Sequence, residues 1–208
     1  MKNLVIEPHY LGSLEYFALL MSVEEVLFEI HDTFPKQTFR NRAYFLSSNR
    51  VQPLMIPVKY SNNSRTEEVT IDYTQRWIKD HWGALYSGYG KAPFFEYFAE
   101  EIKAVWENKA ERLIDLNLSF LKLMLRVLQK DLKISFTKEY QRELPQDFRN
   151  VINPKKDFSN RKIYEPVPYP QLFGDTFVPN LSIVDLIMCE GPNAAQILTQ
   201  SYPKRIDS

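Results

Sequence analysis

Apolar positions near the start of the chain predict two strands separated by a helix. Residues 4–6 and 26–28 are short apolar runs, and the first ends before Pro8, which is typical of buried strands. Residues 11–21 place their apolar side chains on one helical face, with Gly12-Ser13 suited to the helix entry and cap. A strand, helix and strand of this length form a right-handed crossover, which makes the two strands parallel.

The rest of the chain predicts a hairpin and further helices around this unit. The hairpin pairs residues 42–46 with 52–58 across a Ser/Asn turn. Strands are expected at 69–73 and 133–137, and helices at 75–88, 93–105, 113–128, 181–188 and 194–199. We therefore predict a single α/β domain over residues 1–200, with a mainly parallel central sheet, an inserted hairpin and several flanking helices. Residues 201–208 are expected to be a flexible tail.

One long stretch, residues 138–170, has no regular pattern. It contains five prolines and seven Lys or Arg residues. A connection of this length without secondary structure is more typical of a functional lid or a mobile loop than of an ordinary connection.

Charge and composition narrow the class of protein. The 26 basic and 26 acidic side chains cancel, which argues against a nucleic-acid partner, because phosphate backbones attract strongly basic surfaces. Cys189 has no second cysteine with which to form a disulfide, which fits a reducing compartment. The start does not resemble a signal peptide, and no apolar run approaches the roughly 20 residues of a membrane span. We expect a cytoplasmic protein without a membrane span.

A candidate site lies where the two parallel strands end. Residues 8–10 and Asp32 both follow a predicted strand, and open α/β sheets bind ligands beyond the carboxyl ends of their strands. No acid occurs between Asp32 and Glu67, an interval that holds six cations. This interval is either a solvated basic face or an anion site, in which Arg40 and Arg42 would hold a phosphate or carboxylate.

Several common chemistries lack their signatures. No glycine-rich phosphate loop and no G-x-S-x-G elbow occurs. The spacing of His9, His31 and His81 is not a known metal-ligand signature, so no metal is predicted, and the sequence identifies no cofactor. An acid–base role for His9 or Asp32 needs only one well-placed group.

The chain resembles the WbqC-like family. Residues 7–17, EPHYLGSLEYF, are similar to the family opening Q-P-x-Y-x-P-W-x-G-Y-F. Further similar elements are Asp32, Asn41-Arg42, Ile56-Pro57-Val58, Trp77 with His81, Tyr89, Pro93, Tyr169 with Gln171 and Phe173, residues 181–186, and Gly191-Pro192. The chain departs from the pattern at Glu7, Gly12-Ser13 and Glu15, where the family has glutamine, proline-tryptophan and glycine.

The resemblance implies a role in surface-polysaccharide (O-antigen-type) biosynthesis. We expect a transferase-like enzyme acting on a small anionic substrate, an activated sugar or nucleotide-linked compound, with His9 or Asp32 as the catalytic acid or base. The expected substrate-binding residues are Pro8, Tyr10, Lys36, Arg40, Asn41, Arg42, His81, Tyr169 and Gln171. The alternative, favoured by the departures at Glu7, Gly12 and Ser13, is a non-catalytic ligand-binding or scaffold protein in envelope biosynthesis. The oligomeric state is not indicated.

Overall fold

The computed structural model describes residues 3–48 and 50–203 of the chain. In chain order these residues form β1 (Asn3–Ile6), α1 (Leu14–Met21), β2 (Glu25–Phe28), β3 (Arg42–Leu46), β4 (Val51–Met55), β5 (Val58–Lys59), β6 (Thr70–Ile71), α2 (Trp77–Tyr89), α3 (Phe95–Glu107), α4 (Leu113–Val127), β7 (Lys133–Phe136), α5 (Ile183–Glu190) and α6 (Ala194–Ser201). None of these helices is long and apolar enough to cross a lipid bilayer.

The central sheet is parallel, as predicted. Its order is β1-β2-β7, and Val26 of β2 is in register with Leu4 on one side and Ile134 on the other. Strands β3 and β4 form the inserted antiparallel hairpin, and β5 pairs with β6. The α/β fold class, with helices packed around one core, is thereby confirmed.

The strand predicted over residues 52–58 is divided in two. Strand β4 ends at Met55, and β5 begins at Val58. The backbone N–H of Ile56 is donated to the Asn41 carbonyl at 2.9 Å, and Pro57 has no N–H to continue a ladder. The strand expected over residues 69–73 is likewise limited to β6.

Helices α1 and α5 begin side by side. Ser13 caps α1 by accepting a hydrogen bond from the Tyr16 backbone N–H, and Ser182 caps α5 by accepting one from the Val184 N–H. The Ser182 hydroxyl also donates to the Leu11 carbonyl at 2.7 Å. These contacts confirm the predicted cap of α1 and join the start of the chain to its C-terminal helices.

Residues 138–180 contain no strand and only one turn of 3₁₀ helix (Phe158–Arg161), but they are tied to the domain by buried acids. Arg149 reaches Glu29 at 2.9 Å, and Arg161 reaches Glu15. Asp185 of α5 accepts hydrogen bonds from Tyr169 at 2.6 Å and Gln171 at 2.9 Å.

The predicted tail is described only in part. Ser201 is the last residue of α6, is buried, and donates its hydroxyl hydrogen bond to the Ile197 carbonyl. Residues 204–208 lie outside the described residues.

Candidate functional site

A cavity of about 540 Å³ lies at the carboxyl ends of the parallel strands, where the topology places ligand sites. Asp32 comes from the turn after β2, and Tyr140 and Arg142 follow β7. Asp147, Arg149 and Asn150 of the long segment complete the wall. We call this space the strand-end cavity.

A buried guanidinium lies behind this cavity. Arg40 is fully buried and donates to Asp32 Oδ2 at 2.6 Å, to Glu7 Oε1 at 3.5 Å and to Asn150 Oδ1 at 3.0 Å. The Arg40 carbonyl accepts a hydrogen bond from Asn117 of α4 at 2.8 Å, which fixes the backbone that carries it. The guanidinium of Arg40 therefore pairs with two carboxylates. Arg40 does not line the open cavity.

The pKa values of the two carboxyl groups around Arg40 are shifted in opposite directions. Burial raises the pKa of Glu7, but the Arg40 guanidinium, His9 and the Asn150 backbone N–H outweigh it and lower the pKa to about 2. Burial raises the pKa of Asp32 more than Arg40 and the Thr66 hydroxyl lower it, and the charge of Glu7 contributes to the rise. The pKa of Glu7 is thus held below its usual range, and the pKa of Asp32 is raised above its usual range, although both carboxyl groups pair with Arg40.

Asp32 is held firmly while it lines the cavity. Its side chain accepts a hydrogen bond from the Thr66 hydroxyl at 2.6 Å, and its carbonyl accepts one from the Thr66 backbone N–H at 2.9 Å. Each carboxylate oxygen therefore takes one hydrogen bond from the protein and keeps a second lone pair.

His9 lies apart from the open cavity. Its ring stacks on Tyr16 with centroids 4.2 Å apart, and its Nε2 lies 3.3 Å from Glu7 Oε1. Burial lowers the pKa of His9, although Glu7 opposes the effect. His9 supports Glu7 in the interior, and its catalytic assignment stays a prediction.

The cations of the cavity wall differ in availability. Arg149 uses all five of its N–H groups, on Asp147, Glu29 and two backbone carbonyls. The exposed Arg142 makes no ion pair with any residue that the structure describes. Arg142 is therefore the wall cation that a ligand can engage.

His31 completes the cavity edge in a different way. Its Nδ1 lies 2.9 Å from Glu67 Oε1, and its Nε2 lies 2.9 Å from the Thr137 carbonyl oxygen. Both ring nitrogens face acceptors, so His31 joins the turn after β2 to the end of β7.

The remaining predicted binding residues do not gather at the strand-end cavity. Pro8 and Tyr10 are buried. Lys36 is exposed, with its Nζ 5.8 Å from the centre of the Tyr60 ring. Tyr169 and Gln171 are bonded to Asp185, a contact that anchors the long segment.

Asn41 and His81 line a second cavity, between β4 and the start of α2. Arg42 begins β3 and is half-buried. Three of the stretches similar to family motifs, namely Asn41, residues 56–58 and Trp77 with His81, meet at this second cavity.

Sequence reasoning missed several residues of the strand-end cavity. Tyr140, Arg142, Arg149 and Asn150 come from the irregular segment, more than 100 residues after the first strand. The one available signal was the high density of cations between residues 138 and 170. No local pattern distinguishes Arg149, which is saturated, from Arg142.

The described residues contain no group of three or more His, Cys, Asp or Glu side chains arranged to hold a metal ion. The cavity is lined by two carboxyl groups, two guanidinium groups, one imidazole and three neutral polar side chains. Such a set supports proton transfer and the binding of an anionic group.

Many proteins with different activities have an α/β domain with a polar cavity at the carboxyl edge of a short parallel sheet. The fold alone therefore does not identify an activity. The model of the WbqC-like protein family matches residues 7–166 and 155–197. The chain belongs to the WbqC-like protein family.

The match to a curated relative does not indicate an activity. The uncharacterised protein Rv1507c of Mycobacterium tuberculosis (strain ATCC 25618 / H37Rv) is 27% identical over 107 residues, which are 50% of this chain and 46% of the relative. The match thus spans just under half the length of that protein. No solved structure matches the chain.

Replacing Glu7 with glutamine, the family residue, is expected to make stability less sensitive to acid. The folded pKa of about 2 lies below the ordinary 4.5, so this contribution is complete above pH 4.5 and is lost as the pH falls toward 2. It amounts to about 3 kcal/mol. Urea unfolding between pH 6 and pH 3 should give a flatter profile in Glu7→Gln and an unchanged one in the exposed control Glu100→Gln. Parallel profiles for the wild-type protein and Glu7→Gln would contradict the lowered pKa of Glu7.

Proposed function

We propose that the protein is a group-transfer enzyme that uses Asp32 as its acid–base residue in the strand-end cavity. Its substrate is an activated sugar or nucleotide-linked compound with an anionic group, and its place is surface-polysaccharide biosynthesis. The observation that carries the proposal is the position of Asp32, which faces the cavity with a raised pKa while Glu7 balances Arg40 from behind.

Arg142 supplies the anion contact. It lines the same cavity as Asp32 and makes no ion pair with the residues described. A guanidinium offers a fork of N–H groups that matches a phosphate or a carboxylate. Asn150 adds a neutral polar side chain to the same wall.

The surroundings of Asp32 support the proposed proton transfer. As the acceptor hydroxyl or amine bonds to the transferred group, its proton passes to a free lone pair of the Asp32 carboxylate, and the anionic leaving group departs on the Arg142 side. Arg40 and Thr66 hold the carboxylate during this step, because each keeps one oxygen in place. A carboxyl group whose pKa is raised toward the working pH is the more effective acid or base.

Substitutions at Asp32 and Arg142 test the two roles separately. In a thermal-shift screen against nucleotides, nucleotide sugars, acyl carriers and divalent metals, one anionic class should stabilise the protein by about 2.7 kcal/mol at about a hundred times its dissociation constant. Asp32→Asn should keep this stabilisation and lose about 10²- to 10⁴-fold in turnover of that compound. Arg142→Met should lose the stabilisation, and the exposed control Arg50→Met should keep it.

Three outcomes would oppose the proposal. Full turnover in Asp32→Asn would remove the acid–base role. An unchanged shift in Arg142→Met would remove the anion contact. Ligand binding without any turnover by the wild-type protein would instead support the non-catalytic binding protein.

A further inference from the structure

A third cavity, of about 490 Å³, lies between the first turns of α2 and the end of α3. The turn before α2, between residues 73 and 76, forms one end of it, and three residues of α2 form one side. The other side comes from Lys103, Glu107 and Lys109. We call this space the interhelical cavity. It shares no lining residue with the strand-end cavity.

The two sides of the interhelical cavity are joined at one end. The Tyr73 hydroxyl donates to the Ala110 carbonyl at 2.7 Å, which ties the turn before α2 to the residues that follow α3. The Lys109 backbone N–H donates to the Trp106 carbonyl at 3.2 Å, so the chain is also fixed where α3 ends. The cavity is therefore built into the fold, as ligand pockets usually are.

The floor of the cavity is apolar and aromatic. Ile78 and Trp82 are four residues apart in α2, so they lie on one helical face, and both are half-buried. Contacts with Phe95 and Tyr86, at ring-centroid distances of 6.3 and 6.4 Å, hold the Trp82 indole in place. The floor thus offers a flat, partly accessible ring to an apolar group.

Cations line most of the rim. The lining residues include four cationic side chains, namely Arg76, Lys79, Lys103 and Lys109. Lys79 and Lys109 are exposed and make no ion pair with any residue that the structure describes. Lys103 places its Nζ 5.0 Å from the centre of the Trp82 ring. A positive charge and an aromatic surface are therefore adjacent in this cavity.

Nearby acids offset these cations only in part. Arg76 pairs with Asp80 at 3.1 Å, and Lys103 lies 3.6 Å from Glu100 Oε2, but neither acid lines the cavity. Glu107 is the one carboxylate among the lining residues. Even with both of those pairs counted as neutral, two lysines remain against Glu107. The cavity therefore attracts an anion.

We propose that the interhelical cavity binds a small aromatic anion, in which a carboxylate or phosphate group is attached to a planar ring. The ring packs on Trp82 and Ile78, because aromatic pairs gain more than the burial of their area alone. The anionic group bonds to the accessible ammonium groups of the rim. Since Lys103 lies against the Trp82 ring, one small ligand engages both features together. This site does not depend on the proposed role of Asp32, which lines a different cavity.

The three tryptophans of the chain give a direct assay by two-dimensional ¹H–¹⁵N NMR. The uniformly ¹⁵N-labelled full chain is titrated with phenyl phosphate and with phenylacetate, which separate the two kinds of anion. Benzyl alcohol is the neutral comparison, and inorganic phosphate is the comparison without a ring. The Trp82 indole signal, identified by its loss in Trp82→Phe, should shift with at least one aromatic anion. The Trp106 signal should not shift, because Trp106 is 0% exposed and bonded to Tyr10.

Variants locate the charge that the ligand meets. The double variant Lys79→Met, Lys109→Met should weaken binding of the aromatic anion about tenfold, as followed on the Trp82 indole signal. Both side chains are exposed, so the fold should be retained. Lys122→Met removes an exposed lysine of α4 and should leave the affinity unchanged. Arg142→Met should also leave it unchanged, because Arg142 lines the strand-end cavity.

Four results would overturn the proposal. The first is an unshifted Trp82 indole with both aromatic anions at millimolar concentration. The second is binding of benzyl alcohol as tight as that of the anions, which would remove the role of the lysines. The third is binding of inorganic phosphate as tight as that of phenyl phosphate, which would remove the role of the ring. The fourth is unchanged affinity in the double lysine variant.

Discussion

Replacing Arg40 with methionine is expected to lower the free energy of unfolding by about 3–5 kcal/mol. The substitution keeps much of the side-chain volume but leaves Glu7 and Asp32 buried around a missing cation. Both carboxyl groups then take up protons more readily, so the loss should grow with pH as they ionise. Urea unfolding at pH 5 and pH 7.5 measures the effect.

Controls separate the loss of this cation from the loss of any arginine. Arg76 also pairs with an acid, but its side chain is 75% exposed, so Arg76→Met should cost less than about 1 kcal/mol. The triple variant Arg40→Met, Glu7→Gln, Asp32→Asn removes all three charges and should recover most of the stability, because no buried charge is left unpaired. Breaking a buried ion pair should cost several times about 1 kcal/mol. A loss below about 1 kcal/mol in Arg40→Met would therefore contradict the pairing of Arg40 with Glu7 and Asp32.

The first 30 residues show how far local patterns reach. The apolar runs and helical spacing predicted β1, α1 and β2, and the crossover rule made the strands parallel. The same topology placed Asp32 at the carboxyl edge, where the strand-end cavity lies. These features depend on neighbours in sequence, so one sequence was enough.

The partners of Arg40 show where local patterns fail. Arg40 was expected to hold a ligand, but it pairs with Glu7, 33 residues away, and with Asn150, 110 residues away. The use of a cation depends on which acids the fold brings close, and an acid-free stretch of sequence does not reveal them. Lys36, from the same stretch, stays exposed.

The irregular segment shows the same limit. A run of prolines and cations is typical of a mobile loop, yet two of its arginines pair with the buried acids Glu15 and Glu29. Those acids lie on α1 and just after β2, more than 100 residues earlier. The segment is therefore held by long-range ion pairs whose acidic partners lie outside it, and its own composition does not reveal them.

The ion pair between Arg161 and Glu15 gives the second large prediction. Glu15 is fully buried in α1 and is bonded by Arg161 through two nitrogens, with Nε to Oε1 at 2.6 Å and Nη2 to Oε2 at 2.5 Å. Arg161→Met leaves this carboxylate buried with only the distant amide of Asn180 at 3.4 Å. We expect a loss of about 3–5 kcal/mol in the free energy of unfolding.

The same substitution should loosen the segment locally. Arg161 also donates to the backbone carbonyls of Asn153 and Lys156, so its removal breaks four hydrogen bonds to three partner residues at once. Compared with the wild-type protein, hydrogen exchange over residues 150–165 should speed up more than exchange in the central sheet does. The exposed control Arg112→Met should leave the exchange of residues 150–165 unchanged. The double variant Glu15→Gln, Arg161→Met should regain stability, but it should keep the fast exchange because the anchor is still absent. Since this segment carries Arg142 and Asn150, ligand binding at the strand-end cavity should weaken in both variants. Wild-type exchange and affinity in Arg161→Met would mean that the wall of the cavity is held by other contacts.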